Sequence, residues 1–138
     1  MNSFKYKVSF RAVHPSDNLE FISDLIQESP KICWEAGDKR YTPKGNLLSG
    51  IRESSYFSAS LTPTEISSDE TTLEDFINTH IPKWETHIQV LNKFTLNSGK
   101  LTLFIGIFCN SNMGIELEPK LIQKLGKLNI GLQFDIYP

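Results

Sequence analysis

The ten residues Lys100 to Cys109, KLTLFIGIFC, form the longest apolar run in the chain and constrain its fold more than any other stretch. Strand side chains alternate between the faces of a sheet. Leu101, Leu103, Ile105 and Ile107 therefore make one aliphatic row, and Thr102, Phe104, Gly106 and Phe108 make the other. A strand with one face in water would show polar alternation, so a run apolar in both rows is expected at the centre of a sheet, covered on both sides.

Around that strand the chain divides into alternating and helical stretches. From Phe4 to His14, the residues Phe4, Tyr6, Val8, Phe10 and Ala12 alternate with Lys5, Lys7, Ser9 and Arg11, which predicts a strand with one polar face. Asp17, with Glu20 three residues on, has the form of a capping box. Leu19, Ile22, Leu25 and Ile26 then predict a helix from about Asn18 to Glu28, stopped by Pro30. Lys31 to Ala36 reads as a short strand ending at Gly37, and Ser55 to Leu61 as a third strand. Between them periodicity vanishes: turn formers from Gly37 through Pro43 and Gly45 to Gly50 predict a loop over 37–54, long enough to be functional rather than filler.

Thr71 and Glu74 open a second helical pattern, which runs through Leu73, Ile77, Ile81, Trp84 and Leu91 to about Leu96, with a kink or break expected at Pro82. After the central strand, Leu117 to Leu128 reads as a last amphipathic helix and Ile130 to Tyr137 as a closing strand. This order predicts an α+β, two-layer sandwich. Its mixed, mostly antiparallel sheet has about five strands with helices on one face, a ferredoxin-like βαββαβ core plus a C-terminal αβ unit.

At 138 residues with no visible linker or repeat, the chain reads as one domain, 1–138, able to bury roughly two thirds of its unfolded surface. Hydrophobic residues at 39% and charged residues at 22% need no disulfides to support a core, and Cys33 and Cys109 read as reduced, packed thiols. A net charge of -2 lacks the basic excess of nucleic-acid binders, so nucleic acid is not an expected partner. The longest apolar segment, about ten residues, is half the roughly twenty a membrane helix needs. MNSFKYKVSF opens directly on a strand pattern without an apolar leader, and a cytoplasmic location is expected.

The polar rows of the strands should converge on the sheet face opposite the helices, bringing together Arg11, Tyr56, Phe104 and Asp135. So much ring surface should not face water, and the 37–54 loop is expected to cover it through Leu47, Leu48 and Ile51. The enclosed pocket would be lined by Tyr56, Phe104 and Arg11; left uncovered, the face would be a partner surface. Arg11, Asp38, Arg40, Tyr56 and Asp135 could grip a polar ligand there, with Phe104 and with Trp34, which also reads as a core anchor.

No phosphate loop, dinucleotide fingerprint, nucleophile elbow or zinc-type pairing occurs. No catalytic residue, metal site or cofactor is assigned. His80 and His87 stand seven apart where helical metal pairs stand three or four apart, and His14 at a strand end is expected to bond a nearby carbonyl.

The segment Trp34 to Phe57, WEAGDKRYTPKGNLLSGIRESSYF, resembles the signature of a bacterial uncharacterised family, domain of unknown function 4279. The resemblance rests on Trp34, Gly37, Asp38, Arg40, Thr42, Pro43, Gly45, Leu48, Gly50, Ser55, Tyr56 and Phe57, with Phe57 standing where the family often has Trp. VSFRAVHP, FIGIF and DIYP extend it over nearly the whole chain. It implies that the loop matters and names neither ligand nor reaction.

The expected function is that of a small bacterial cytoplasmic binding domain without catalysis, of the kind that neutralises a partner protein as compact immunity proteins do. The alternative is a small enzyme or metabolite-binding domain using a cleft between the loop and the sheet face. A homodimer joined through the closing strand or the sheet face is compatible with either.

Overall fold

The run at 100–109 pairs on both sides. A computed structural model describes residues 2–138. In it β1 (Lys5–His14) lies antiparallel to β7 (Lys100–Phe108), from Lys5 opposite Phe108 to Val13 opposite Lys100, while β8 (Ile130–Tyr137) runs parallel on the other flank. β5 (Ser55–Ser60) is antiparallel to β1, and β2 (Ile32–Trp34) is antiparallel to β5, giving the order β2-β5-β1-β7-β8. A two-residue strand, β6 (Ile66–Ser67), pairs with Lys5 and Tyr6 and makes the sheet six-stranded. The remaining strands, β3 (Lys39–Tyr41) and β4 (Leu47–Ile51), form a separate two-stranded sheet.

Four helices complete the α+β fold: α1 (Phe21–Ile26), α2 (Leu73–Glu85), α3 (Ile88–Leu96) and α4 (Pro119–Lys127). They cover one sheet face. Phe4, Tyr6, Val8, Phe10 and Ala12 from β1 and the aliphatic row of β7 are buried against Ile22, Ile26, Ile77, Ile81, Trp84, Leu91 and Leu125. Trp84 meets Phe10 edge-on with centroids 5.3 Å apart, and Phe76 meets Tyr6 at 5.9 Å. These contacts lock α2 across the central strands. His14 closes the core at the far end of β1: its Nδ1 accepts the backbone N–H groups of Ser16 and Asp17, at 3.0 and 2.8 Å. The ring proton therefore sits on Nε2 and is donated to the Asn97 carbonyl at 2.8 Å, the carbonyl bond expected of this residue.

Several expectations need correction. β7 is central, yet its second row is roofed by no helix; Phe104 and Phe108 are half-buried, the Arg11 guanidinium lying flat over the first and the Tyr137 ring stacking on the second. The aperiodic stretch 37–54 contains the β3–β4 hairpin. Its turn is closed locally, by Gly45 N–H to the Thr42 carbonyl at 2.8 Å and Asn46 N–H to Thr42 Oγ1 at 3.0 Å, so no long alternation was needed to form it. This hairpin does not blanket the sheet: Tyr41, Leu47, Leu48 and Ile51 are all exposed.

The helix starts also shift. Asn18, not Asp17, engages the turn before α1 by accepting the Glu20 N–H at 2.9 Å, and α1 is shorter than its apolar stripe. Thr72, not Thr71, caps α2 through the Asp75 N–H at 3.1 Å. Pro82 lies within α2. The break into α3 falls after it, at Thr86 and His87, where Thr86 Oγ1 donates back to the Lys83 carbonyl at 2.7 Å.

Candidate functional site

The face opposite the helices is where the sequence candidates fall. Cross-strand register makes it a set of ladders: Trp34 beside Tyr56 and Val13, Ser58 beside Arg11 and Thr102, Ser9 beside Phe104 and Gln133, and Lys5 beside Phe108 and Tyr137. The rings on it are stacked rather than loose. Arg11 holds its guanidinium carbon 3.7 Å above the centre of the Phe104 ring, and Phe108 stacks on Tyr137 with centroids 5.3 Å apart at 17°. Gly106 lies beneath that second stack; a Cβ there would already sit within 3.7 Å of both rings.

At the β2 edge Trp34 tilts against Tyr56 at 5.1 Å, while the Arg52 guanidinium covers its other face at 3.6 Å. The Trp34 indole N–H is tied to the Ser54 carbonyl at 3.1 Å, which fixes the ring between its two neighbours. The base of the hairpin builds this arrangement. Gly37 N–H donates to the Arg52 carbonyl and Arg52 N–H to the Asp38 carbonyl, at 2.8 and 2.9 Å. Gly37 takes φ of +92°, a turn conformation that a side chain would strain.

The structure therefore divides the sequence candidates. Trp34 and Tyr56 meet in one stack, and Arg11 and Phe104 in another. Asp135 accepts the Tyr137 hydroxyl at 2.6 Å. That bond, followed by desolvation and the Asp135 charge, pushes the Tyr137 phenol up, with Arg11 partly opposing it. Asp38 and Arg40 spend their polar groups on the hairpin itself: Asp38 Oδ2 accepts the Glu35 N–H at 2.8 Å, and Arg40 Nη1 donates to the Ser49 carbonyl at 3.2 Å.

Arg52 is a side chain of this candidate site that the sequence reading missed. Its neighbour in space, Trp34, lies across the hairpin base, and nothing in the local pattern around Arg52 reveals the β2–β5 pairing that brings them together.

Shallow hollows surround Trp34 rather than Phe104. One of about 470 Å³ is lined by Cys33, Trp34, Asp38, Tyr41 and Arg52; another of about 300 Å³ by Trp34, Arg40, Arg52 and Glu53. A third of about 250 Å³ lies between Trp34, Asn18, Glu20, Glu35 and Asp38. None of these hollows is lined by Tyr56, Phe104 and Arg11 together: Arg11 lies flat on Phe104, and Tyr56 leans on Trp34.

Both cysteines are free thiols, and Cys109 packs against the edge of the core as expected, whereas Cys33 does not. Cys33 is an exposed free thiol on β2, and Cys109 a half-buried one. Desolvation, then the charges of Glu20 and Asp38, push the Cys33 thiol up, opposite to the activation a nucleophile requires. Among the described residues, no group of three or more His, Cys, Asp or Glu side chains is placed to hold a metal ion. No helix among them is long and apolar enough to cross a membrane.

A separate cleft of about 380 Å³ lies at the start of α2, between Ser68, Thr72, Glu74 and Glu116. Glu118 beside it is pushed up by a hydrogen bond and charge from Glu116 and by the charge of Glu74.

No curated protein and no solved structure matches the chain. A family model does, over residues 4–138, spanning the ladders, the hairpin and both edges of the sheet. The chain thus belongs to the family described as a domain of unknown function, DUF4279.

Proposed function

We propose that the protein is a non-catalytic binding domain that engages a partner protein through its open sheet face and hairpin. The observation carrying this reading is the Arg11–Phe104 stack: the face is roofed by no element of the fold, and Arg11 Nε is buried there without a hydrogen-bond partner. A guanidinium lying flat on a ring at an open sheet face suits a carboxylate or carbonyl brought in from outside. The hairpin supplies an apolar margin. Tyr41 and Leu47 are directly opposed, and together with Ile51 they put three exposed apolar side chains on the ribbon.

A bacterial, cytoplasmic protein of the immunity type, which neutralises a partner by covering it, fits such a surface. The ferredoxin-like description of the core is supported by the order of its four main strands, β2-β5-β1-β7, with every neighbouring pair antiparallel. The test is affinity capture from native lysate with the wild-type chain and with Arg11→Glu/Phe104→Ala. A stoichiometric protein held by the first and lost by the second supports the reading; a co-purifying metabolite without protein overturns it.

A small-ligand reading is favoured by one observation, the convergence of the three hollows on Trp34 between Arg52 and Tyr56. A flat polar molecule could displace the Arg52 guanidinium from the indole face. Thermal-shift screening against metabolites tests it: a stabilising ligand whose effect disappears in Arg52→Ala and Trp34→Ala supports the site, and responses unchanged in both remove it.

A further inference from the structure

We infer that two copies of the chain pair antiparallel through the outer edge of β8, forming one continuous sheet with its two-fold axis at Phe134. This inference is independent of what binds the open face. The two sheet edges are unequal. β2 offers only three residues before the turn at Gly37, whereas β8 offers eight and has a neighbour, β7, on one side alone.

The direction of the free groups follows from one bond. Cys109 N–H donates to the Tyr137 carbonyl at 3.0 Å, so Tyr137, Asp135 and Gln133 aim their backbone groups at β7, and Leu132, Phe134 and Ile136 aim theirs outward. Those three also carry the helix-side row, in which Phe134 is 39% and Ile136 66% exposed. Soluble proteins blunt such an edge with lysine, proline, a bulge or shortness. Ile130–Tyr137 has none of these, and its single charge is Asp135.

The strand is complementary to itself in one register. With the axis at Phe134, that ring faces its copy, Leu132 faces Ile136, Gln133 faces Asp135, and Tyr137 faces Gly131. These are an aromatic pair, an aliphatic pair and an amide donor on a carboxylate, while Tyr137, whose ring leans inward on Phe108, meets no side chain at Gly131. Moving the axis to Asp135 sets like charges against each other. Moving it to Gln133 leaves Asp135 opposite Gly131 and Tyr137 beyond the strand end.

The pairing sets the helices of both copies on one side and the open faces together on the other. About seven paired positions give a seam roughly 24 Å long and about 10 Å deep. That buries less than the roughly 800 Å² per partner of a standard interface, so association belongs in the micromolar range.

Sedimentation velocity from about 5 µM to about 500 µM tests this. The mass of the wild-type chain should rise from 15.7 kDa toward twice that value. Phe134→Pro removes the ring at the axis and an outward N–H but none of the backbone groups that bond β7, so β8 stays paired with β7 and the protein should remain monomeric with an unchanged circular dichroism spectrum. Ile136→Lys, at an exposed position, should weaken association at least about tenfold. In a Cys33→Ser/Cys109→Ser background, Phe134→Cys should form a disulfide-linked dimer under mild oxidation and Gln133→Cys should not, because only the former pair lies about 5.5 Å apart across the axis. A wild-type chain monomeric throughout, or a dimer indifferent to both edge variants, overturns the inference; cross-linking at Gln133 alone overturns the axis.

Discussion

Tyr6 ties the central strand to the start of α2, and replacing it with phenylalanine should make the stability of the fold respond differently to alkali. The Tyr6 side chain is fully buried. Its hydroxyl donates to the Thr71 carbonyl at 2.7 Å, next to the residue that caps α2, and its ring packs on Phe76 and Phe4. Burial, and secondarily the charge of Asp75, push the phenol from 10.0 to about 12. The folded state therefore keeps a proton that the unfolded chain releases as pH passes 10. Stability from this group is fully present below pH 10 and is lost as pH rises toward 12.

A rise from 10.0 to about 12 corresponds to at most about 2.7 kcal/mol, of which roughly 1–2 kcal/mol is expected because the Thr71 end of the bond is partly open to water. At pH 8 the hydrogen bond itself contributes about 0.5–1.5 kcal/mol. Tyr6→Phe should accordingly be less stable than wild type by about 1 kcal/mol at pH 8, with the gap closing and then reversing above pH 11. Urea unfolding followed by tryptophan fluorescence measures this, and the lysines and other tyrosines cancel in the difference. A gap that stays constant from pH 8 to pH 11.5 would refute the buried-phenol reasoning.

Gly99→Ala should cost about 1–3 kcal/mol, because its Cβ would strike the Phe94 ring and come within 2.6 Å of the Phe94 carbonyl, which cannot yield; an unchanged thermal midpoint contradicts this. His80 stacks on Trp84 at 5.6 Å, and burial, then Lys83, hold its pKa below the usual 6.5. Its neutral form is the one the fold favours. Stability from His80 is thus present above pH 6.5 and declines as pH falls through the folded value, a slope that His80→Gln should remove from urea titrations between pH 5 and 7.5. Arg52→Ala should uncover one face of Trp34 at a cost of about 0.5–1 kcal/mol, read as stronger acrylamide quenching of Trp34 against the fully buried Trp84.

The strands that needed only their own alternation were legible in the chain. β1 and β8 lie where their apolar period puts them, and the run at 100–109 is flanked on both sides because a stretch apolar in both rows has no edge to wet. Helix starts were read to within a few residues, since Thr71 and Thr72 offer the same hydroxyl and only the final path of the chain selects Thr72. The β3–β4 ribbon escaped notice because strands of three and five residues carry too few positions for a period.

The candidate site divided in the same way. That Arg11 and Phe104 share a face follows from period two, a property of the backbone alone. That Arg52 covers Trp34, that Asp38 and Arg40 serve the hairpin, and that the hairpin leaves the sheet open follow from pairings between distant segments. Local chemistry fixes which way a side chain points on its strand; only the closing of the sheet decides what stands opposite it.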